Sequence, residues 1–381
     1  MINARSDKGG RLAAVWERVR RWLWRAHDAA GGLGLDVALY GASAAFAGAT
    51  AAWSTLAPHR EWGRVAVAGY AIATLVALGQ LGLRWRAYAR AAGTGRPAGT
   101  RAYGTRARAG LAALTWAAVG LLPLLVLALA RAGGRADRAQ EEVVVIENGG
   151  RRLLETGTPY LSRAAIAALP AGERLLGYLP YQPGMALFGL PRALDPAAAW
   201  WSDARTWFAL VTAAALAAAL WLLRRGGASP VLLIRALQVA TVLPLCALTL
   251  ATGGDDLPVL ALCLLALACA AVGRPGCGGL AVGAAAALKL FAWPVAIVLG
   301  VHAALRGRAA LARYSAGALG VPLLSLLPVL ALDPAGVTEN VLRFPLGRGL
   351  AESPARSPLP GRLLTVGVPG GHAIAVGLLV A

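Results

Sequence analysis

Long apolar blocks alternate along this chain with short breaks rich in Arg or in Pro and Gly. Most blocks approach the roughly 20 residues that a membrane-spanning helix needs. Read in order, Leu33–Ala57 is a first span with a brief exit at Pro58–Gly63, and Val65–Leu83 returns. Gly110–Ala130 is a third span, followed by Trp207–Leu223, Val231–Thr252, Val259–Val272 and Ala316–Leu332. Short alternating segments of the kind that build a β-barrel are absent from the pattern. The expected fold class is therefore all-α, a polytopic transmembrane helical protein.

The polar breaks orient these spans. Arg84 to Arg108 carries Arg84, Arg86, Arg90, Arg96, Arg101, Arg106 and Arg108 without an acid, the mark of a cytoplasmic loop. From Arg131 to Arg205 no lipid-compatible run is long enough to cross, and eight acids fall there. Counting spans puts this large loop outside. Its segment YLPYQPGMALFGLP (Tyr178–Pro191) reads as ordered and lying against the membrane, with Trp200, Trp201 and Trp207 anchoring the next span at the interface. Cys277 to Leu305 poses a choice between one long helix and two short ones broken near Lys289 and Pro294. The broken hairpin is preferred, because it keeps Arg306, Arg308 and Arg313 inside and because interrupted helices mark membrane binding sites. Beyond the loop Asp333–Arg362, only Ala373–Ala381 is clearly apolar, which reads as part of a span in a longer natural sequence.

Composition agrees with the pattern. The 381 residues are 58% hydrophobic and 14% charged, against roughly 25% charged in a soluble domain, and the mean hydropathy is +0.60. The net charge of +19 would fit nucleic acid. The basic residues instead gather beside apolar segments, at Arg5–Arg25 and Arg84–Arg108, so no nucleic-acid partner is expected and membrane lipids are. Arg11–Arg25, basic and Trp-bearing, resembles an amphipathic segment on the inner surface more than a signal peptide. The cysteines Cys246, Cys263, Cys269 and Cys277 lie in or beside apolar runs without metal-ligand spacing and read as small buried hydrophobes. His27, His59, His302 and His372 form no cluster.

Three polar elements fall on the outer side by this count. They are the glutamate stretch EEVVVIENGGRRLLETGTPY (Glu141–Tyr160), the pair Asp255–Asp256, and the loop bearing Arg343, Arg348, Arg356 and Arg362. Outer arginines run against the usual charge bias and call for a phosphate partner or are tolerated in an Arg-rich chain. Asp255 and Asp256 either bind acceptor hydroxyls or cap the helix that follows. Lys289 is one of only two lysines and lies inside AAAALKLFAWP. A cation at membrane depth costs on the order of 2.5–3.5 kcal/mol, so it either faces a cavity and a counter-charge or snorkels to the interface.

The stretch EVVVIENGGRRLLETGTPY resembles the D-L-x-V-Y-x-x-G-x-x-L-L-x-G-x-x-P-Y segment of glycosyltransferase family 87. YLPYQPGMALFGLPRAL is similar to the Pro-rich segment that follows it in the family. DDLPVLALCLLALACAAVGRPGCGGLAVGAAAALKLFAWP resembles the later block running to Lys and Pro, and NVLRFPLGRG…SPLPG an external loop there. The resemblance covers Glu141 to the end. It divides the chain into 1–109, a basic segment with two extra helices, and 110–381, a core of the GT-C class.

What the resemblance implies is an integral-membrane enzyme that moves a hexose, mannose first, from a polyprenyl-phosphate sugar to a lipid or glycan acceptor of the cell envelope. The plasma membrane, with a cytoplasmic N-terminus, is the expected location. Glu142 aligns with the family's acidic residue, although it is Glu rather than Asp and Ile146 stands where the family has Tyr. Glu147 is its rival and Glu141 the third candidate. A carboxylate would take the proton of the attacking acceptor hydroxyl. Lys289, Arg343 and Arg348 would meet the departing lipid phosphate, with Tyr160, Tyr181, Asp255 and Asp256 lining the substrates. No cofactor is implied besides the lipid-linked donor, and metal dependence is not decided. The other functional classes are a transporter or lipid-carrier translocase centred on the broken helix, and a non-catalytic scaffold.

Overall fold

The computed structural model describes residues 29–94, 104–195, 197–352 and scattered positions between 363 and 377. The basic segment Arg11–Arg25, Arg96, Arg101, Arg356, Arg362, His27, His372 and most of Ala373–Ala381 lie outside the described residues. The longer helices are α1 (Leu33–Trp53), α2 (Ala57–Thr94), α3 (Thr105–Ala132), α4 (Glu141–Thr156) and α5 (Ala204–Arg225). They continue as α6 (Pro230–Val242, then Pro244–Thr252), α7 (Asp256–Ala271), α8 (Pro275–Leu288), α9 (Trp293–Leu305) and α10 (Arg308–Leu332). Among the described residues there is no strand. Among the described residues, five helices, α1, α2, α3, α5 and α10, are long and apolar enough to cross a membrane, or six if α6 counts as one bent span. This is an all-α polytopic membrane protein.

Several boundaries differ from the pattern for local reasons. The exit expected at Pro58–Gly63 lies in the first two turns of α2, the real break being Ser54–Leu56. Proline near a helix start lacks only a donor that would be unused there. At 38 residues α2 is about 57 Å long, so its arginine-bearing end outruns the hydrocarbon core of about 30 Å. In α3 the turn Ala117–Leu121 widens to a π-helix just before Pro123, where the proline ring would otherwise meet the carbonyl four residues back. The same relief precedes Pro244 in α6, which bends by 42° at Leu243.

The chain forms two compact units, residues 1–139 with 216–257, and 140–215 with 258–381. The first is held by a buried polar knot. Asp36, on the first turn of α1, accepts from Arg108 Nε at 2.6 Å and Nη2 at 3.1 Å, and from Gln238 at 3.0 Å. It also pairs with Arg235. Asp36 and Arg108 are both 1% exposed, so either one alone would be an uncompensated buried charge. Trp62 Nε1 donates to the Val119 carbonyl at 2.8 Å, where the π turn frees it.

The second unit is built on small residues. A Cβ on Gly279 would lie 2.1 Å from the Tyr314 carbonyl oxygen, and one on Gly283 would lie 2.2 Å from that of Gly317. Helices α8 and α10 therefore touch backbone to backbone, the packing that small residues four apart permit in lipid. Helix α9 folds back on α8: Ala281, Val282, Ala296, Leu299, Tyr314 and Ala318 share one buried cluster. The Tyr314 hydroxyl donates to the Ala296 carbonyl at 2.6 Å. At the open end of the hairpin, Arg306 donates to the Ala270 carbonyl at 3.3 Å. The two-helix alternative is thus the one adopted, and the arms meet at Lys289.

Gly283→Ala is expected to destabilise the detergent-solubilised protein by about 1–3 kcal/mol, the range for overpacking a filled contact. Gly320→Ala meets nothing within 4 Å and should stabilise α10 by up to about 1 kcal/mol. Thermal melting of both variants checks this, and equal melting points would refute the close contact.

Candidate active site

The hairpin of α8 and α9 ends at a lysine because the helix cannot run through it. Lys289 is extended, at φ −144° and ψ 146°, and the helix restarts with Pro294 in its first turn. Ending α8 leaves carbonyls without helical donors. One of them, on Leu288, accepts the backbone N–H of Gln182 at 3.0 Å. Gln182 reaches it because Gly184 packs against α8, where a Cβ would sit 2.6 Å from the Ala287 oxygen. The segment Tyr178–Gly189 is therefore the cap of the broken helix.

That cap brings Tyr181 to Lys289, with Tyr160 bonded behind it. The Lys289 Nζ stands 4.4 Å from the centre of the Tyr181 ring, within cation–π range. The Tyr160 hydroxyl donates to the Tyr181 carbonyl at 2.8 Å. Burial, with Asp333 nearby, raises the pKa of Tyr160 above its ordinary value, so it stays a donor. Asp333 accepts from Thr158 Oγ1 at 3.2 Å and from the Gly336 N–H at 2.8 Å, and closes the ring of contacts behind Tyr160.

A second knot fixes the other end of the cap. Glu339, 2% exposed, accepts from Arg163 Nη1 at 2.8 Å and from the Tyr178 hydroxyl at 2.9 Å. Arg343 lies 3.6 Å from its other oxygen. Tyr178 stacks on Phe344 with ring centres 4.2 Å apart. Its hydroxyl accepts the Leu350 N–H at 2.7 Å. Burial, and then its bond to Glu339, raise the Tyr178 pKa. Asn340, fully buried, accepts from the Leu179 N–H at 2.9 Å and donates to the Leu161 and Gly336 carbonyls at 2.9 Å each. Arg343 and Arg348 stay exposed beside this knot, and the Arg348 carbonyl accepts from Arg163 at 3.2 Å.

The glutamate stretch is not a loop but the helix α4. Acids in its first turn suit the N-terminal dipole, and Gly157 at φ 76° stops it. Its buried face carries Val143, Ile146, Gly149 and Gly150. A Cβ on Gly150 would lie 2.3 Å from the Gly189 backbone, so the two glycines let α4 reach the cap. Glu141 and Glu142 are exposed on the first turn. Glu147 faces inward, 6% exposed, and accepts from Arg192 at 3.4 Å and from the Ala204 N–H at 3.2 Å. It anchors the start of α5, a structural arrangement. Asp256 opens α7 and Asp255 precedes it, buried, where both charges meet that helix's N-terminal dipole.

The model of glycosyltransferase family 87 matches residues 178–381. The chain belongs to this family. No curated protein and no solved structure matches it. The matched part of this glycosyltransferase includes the cap, Lys289, Glu339, Arg343 and Arg348, whereas α4 with Glu142 and Glu147 precedes it. Sequence reasoning passed over Glu339, Asn340 and Arg163. For Glu339 and Asn340 the signal was Thr-Glu-Asn between Pro334 and Phe344, a polar triplet in a segment already marked as external.

Glu147→Ala takes the carboxylate from half-buried Arg192 and from the Ala204 N–H, and should cost about 1–3 kcal/mol of stability while turnover per folded molecule is kept. Melting and activity normalised to folded protein check this. A stable but inactive variant would return Glu147 to the reaction.

Proposed function

We propose that this family 87 member transfers a hexose, with mannose the leading candidate, from a polyprenyl-phosphate sugar to a lipid or glycan acceptor of the cell envelope. The site faces the outer side of the plasma membrane and the N-terminus the cytoplasm, in line with the acid-free arginine run from Arg84 to Arg108. In this reading residues 110–381 form the GT-C-like transferase core and 1–109 add two helices to it. The observation that carries the proposal is Lys289 at the tip of a hairpin in the matched region, held against Tyr181 by the cap.

An arm of 14 residues is about 21 Å long, less than the roughly 30 Å hydrocarbon core. Its lysine thereby stops short of the outer surface, where a cation calls for an anionic partner such as a lipid phosphate drawn down to it. The acceptor oxygen forms its bond to the anomeric carbon as the bond from that carbon to the phosphate oxygen breaks. Glu142 takes the acceptor proton, and the polyprenyl phosphate leaves with one more negative charge than it had in the donor. Lys289, with Arg343 and Arg348 from the exposed loop, offsets that charge. Tyr181 and Tyr160 shape the lysine's surroundings, and Asp255 and Asp256 remain candidates for acceptor hydroxyls. Glu141 stands beside Glu142 on the same exposed turn and is the substitute base.

Purified protein given labelled polyprenyl-phosphate mannose and a lipid-extract acceptor tests the reading. Glu142→Gln should lower kcat by about 10²–10⁴-fold, the usual worth of a general base. Lys289→Met should cost about 10²–10³-fold, as for loss of one charge-stabilising donor. Unchanged transfer by Glu142→Gln would remove that residue as the base. Absence of transfer from every lipid-linked sugar, with lipid flipping that depends on Lys289, would establish the translocase instead.

A further inference from the structure

The knot at Glu339 holds more positive charge than one carboxylate needs. Arg163 Nη1 meets both Glu339 oxygens, at 2.8 and 3.1 Å. Arg343 Nη1 stands 3.6 Å from the second of them. Two guanidiniums therefore share one oxygen atom. Arg348 adds a third cation, its carbonyl bonded to Arg163 at 3.2 Å and its own side chain exposed. Glu352, the next acid along that loop, is exposed and among the described residues pairs with none of the three.

The layering decides which way the surplus faces. Glu339 is 2% exposed, whereas the side chains of Arg163 and Arg343 are 44% and 54% exposed. The carboxylate lies beneath, and the guanidiniums lie over it, turned to solvent. Arg163 makes its three bonds through Nη1 alone. Among the described residues no protein group accepts from its Nη2 or Nε. A guanidinium carries five donors in a rigid fork, so one tip of Arg163 is tied down and the rest of the fork is presented outward. Arg108 on Asp36 and Arg205 on Asp203 are different, each guanidinium being buried with its carboxylate.

The same two segments run from these arginines to the lysine. Tyr181 stands at Lys289 with Tyr160 bonded behind it, while Arg163 and Tyr178 bond Glu339. On each segment the two ends, Tyr160 with Arg163 and Tyr178 with Tyr181, are three residues apart. Such a stretch spans at most about 10 Å. We propose that Arg163 and Arg343 form a clamp for one phosphate, that of the lipid-linked donor, with Glu339 holding the two guanidiniums from below. The proposal rests on the transferase reading above and adds Arg163 to its binding residues. Two guanidiniums offering N–H groups side by side fit the oxygens of one phosphate. Arg163 meets that phosphate before and after transfer alike, so it acts on donor affinity and not on the chemical step.

Purified full-length protein titrated with undecaprenyl phosphate, and separately with undecaprenol, tests the clamp. The phosphate form should bind more tightly. Arg163→Gln should weaken its binding about tenfold, the low end for a bond to a charged group, and leave undecaprenol unaffected. Arg163→Lys keeps a charge on Glu339 and loses the fork, so it should restore the melting point but only part of the affinity. Arg151→Gln, at an exposed arginine of α4, should change neither ligand. With labelled donor, Arg163→Gln should raise the donor KM by a like factor and keep kcat and the acceptor KM. Undecaprenyl phosphate bound equally by Arg163→Gln, Arg163→Lys and the unaltered protein would overturn the clamp. An equal loss of undecaprenol, or a rise in the acceptor KM alone, would do the same. Phosphate binding that depends on Arg163, in a protein that transfers no sugar, would support the clamp and sink the transferase reading instead.

Discussion

A helix that stops inside an apolar environment leaves carbonyl groups that lipid cannot satisfy. The second unit is arranged around that constraint at Leu288 and Lys289. The donor comes from the backbone of Gln182, not from a side chain, which demands that the Tyr178–Gly189 segment lie on α8 with almost no gap. Gly184 permits the approach on one side. Gly150 and Gly189 permit the corresponding approach of α4 on the other. The position of Lys289 is thus a consequence of backbone packing. The lysine side chain contributes only its charge.

The knot at Glu339 and Asn340 extends the same principle to the ends of the cap. Asn340 uses its amide oxygen and nitrogen on three backbone groups. Glu339 gathers Arg163, Tyr178 and Arg343. Buried polar groups that are all partnered specify one arrangement, whereas partly partnered ones would be costly. Arg343 is held by its end nearest Glu339 yet remains 54% exposed. It is a cation with a fixed base and a free face, the condition under which it could also meet an anion in solvent.

The spans were legible because their signal is additive: twenty apolar residues outweigh any single exception. The hairpin was legible for a different reason, since only a return at Lys289 reconciles Arg274 and Arg306 with one side, and Arg306 does reach the Ala270 carbonyl. Helix α4 was read as a loop because its buried face is only one stripe wide and includes two glycines, which lower helix propensity. Gly150 is explained by Gly189, some forty residues away, and Gly149 by Leu179, contacts without a local trace. Asp36 and Arg108 were equally hidden. Arg108 was counted with the loop arginines, and nothing near it in sequence reveals that it reaches a carboxylate in α1.

The use of the two cations follows the same division. Where a charge is buried to hold helices, this chain uses arginine in a fork: Arg108 on Asp36, and Arg205 on Asp203 with both residues fully buried and both bonds at 2.8 Å. A planar guanidinium fixed by two bonds suits a permanent pair. At the hairpin tip stands one of the only two lysines, half-buried over an aromatic ring. A compact ammonium with rotatable donors can leave a ring face for a phosphate and return, since a cation–π contact constrains direction less than a bidentate pair does. In a chain that otherwise chooses arginine almost everywhere, lysine at position 289 suits the role proposed for it, a charge that turns from the ring to a phosphate.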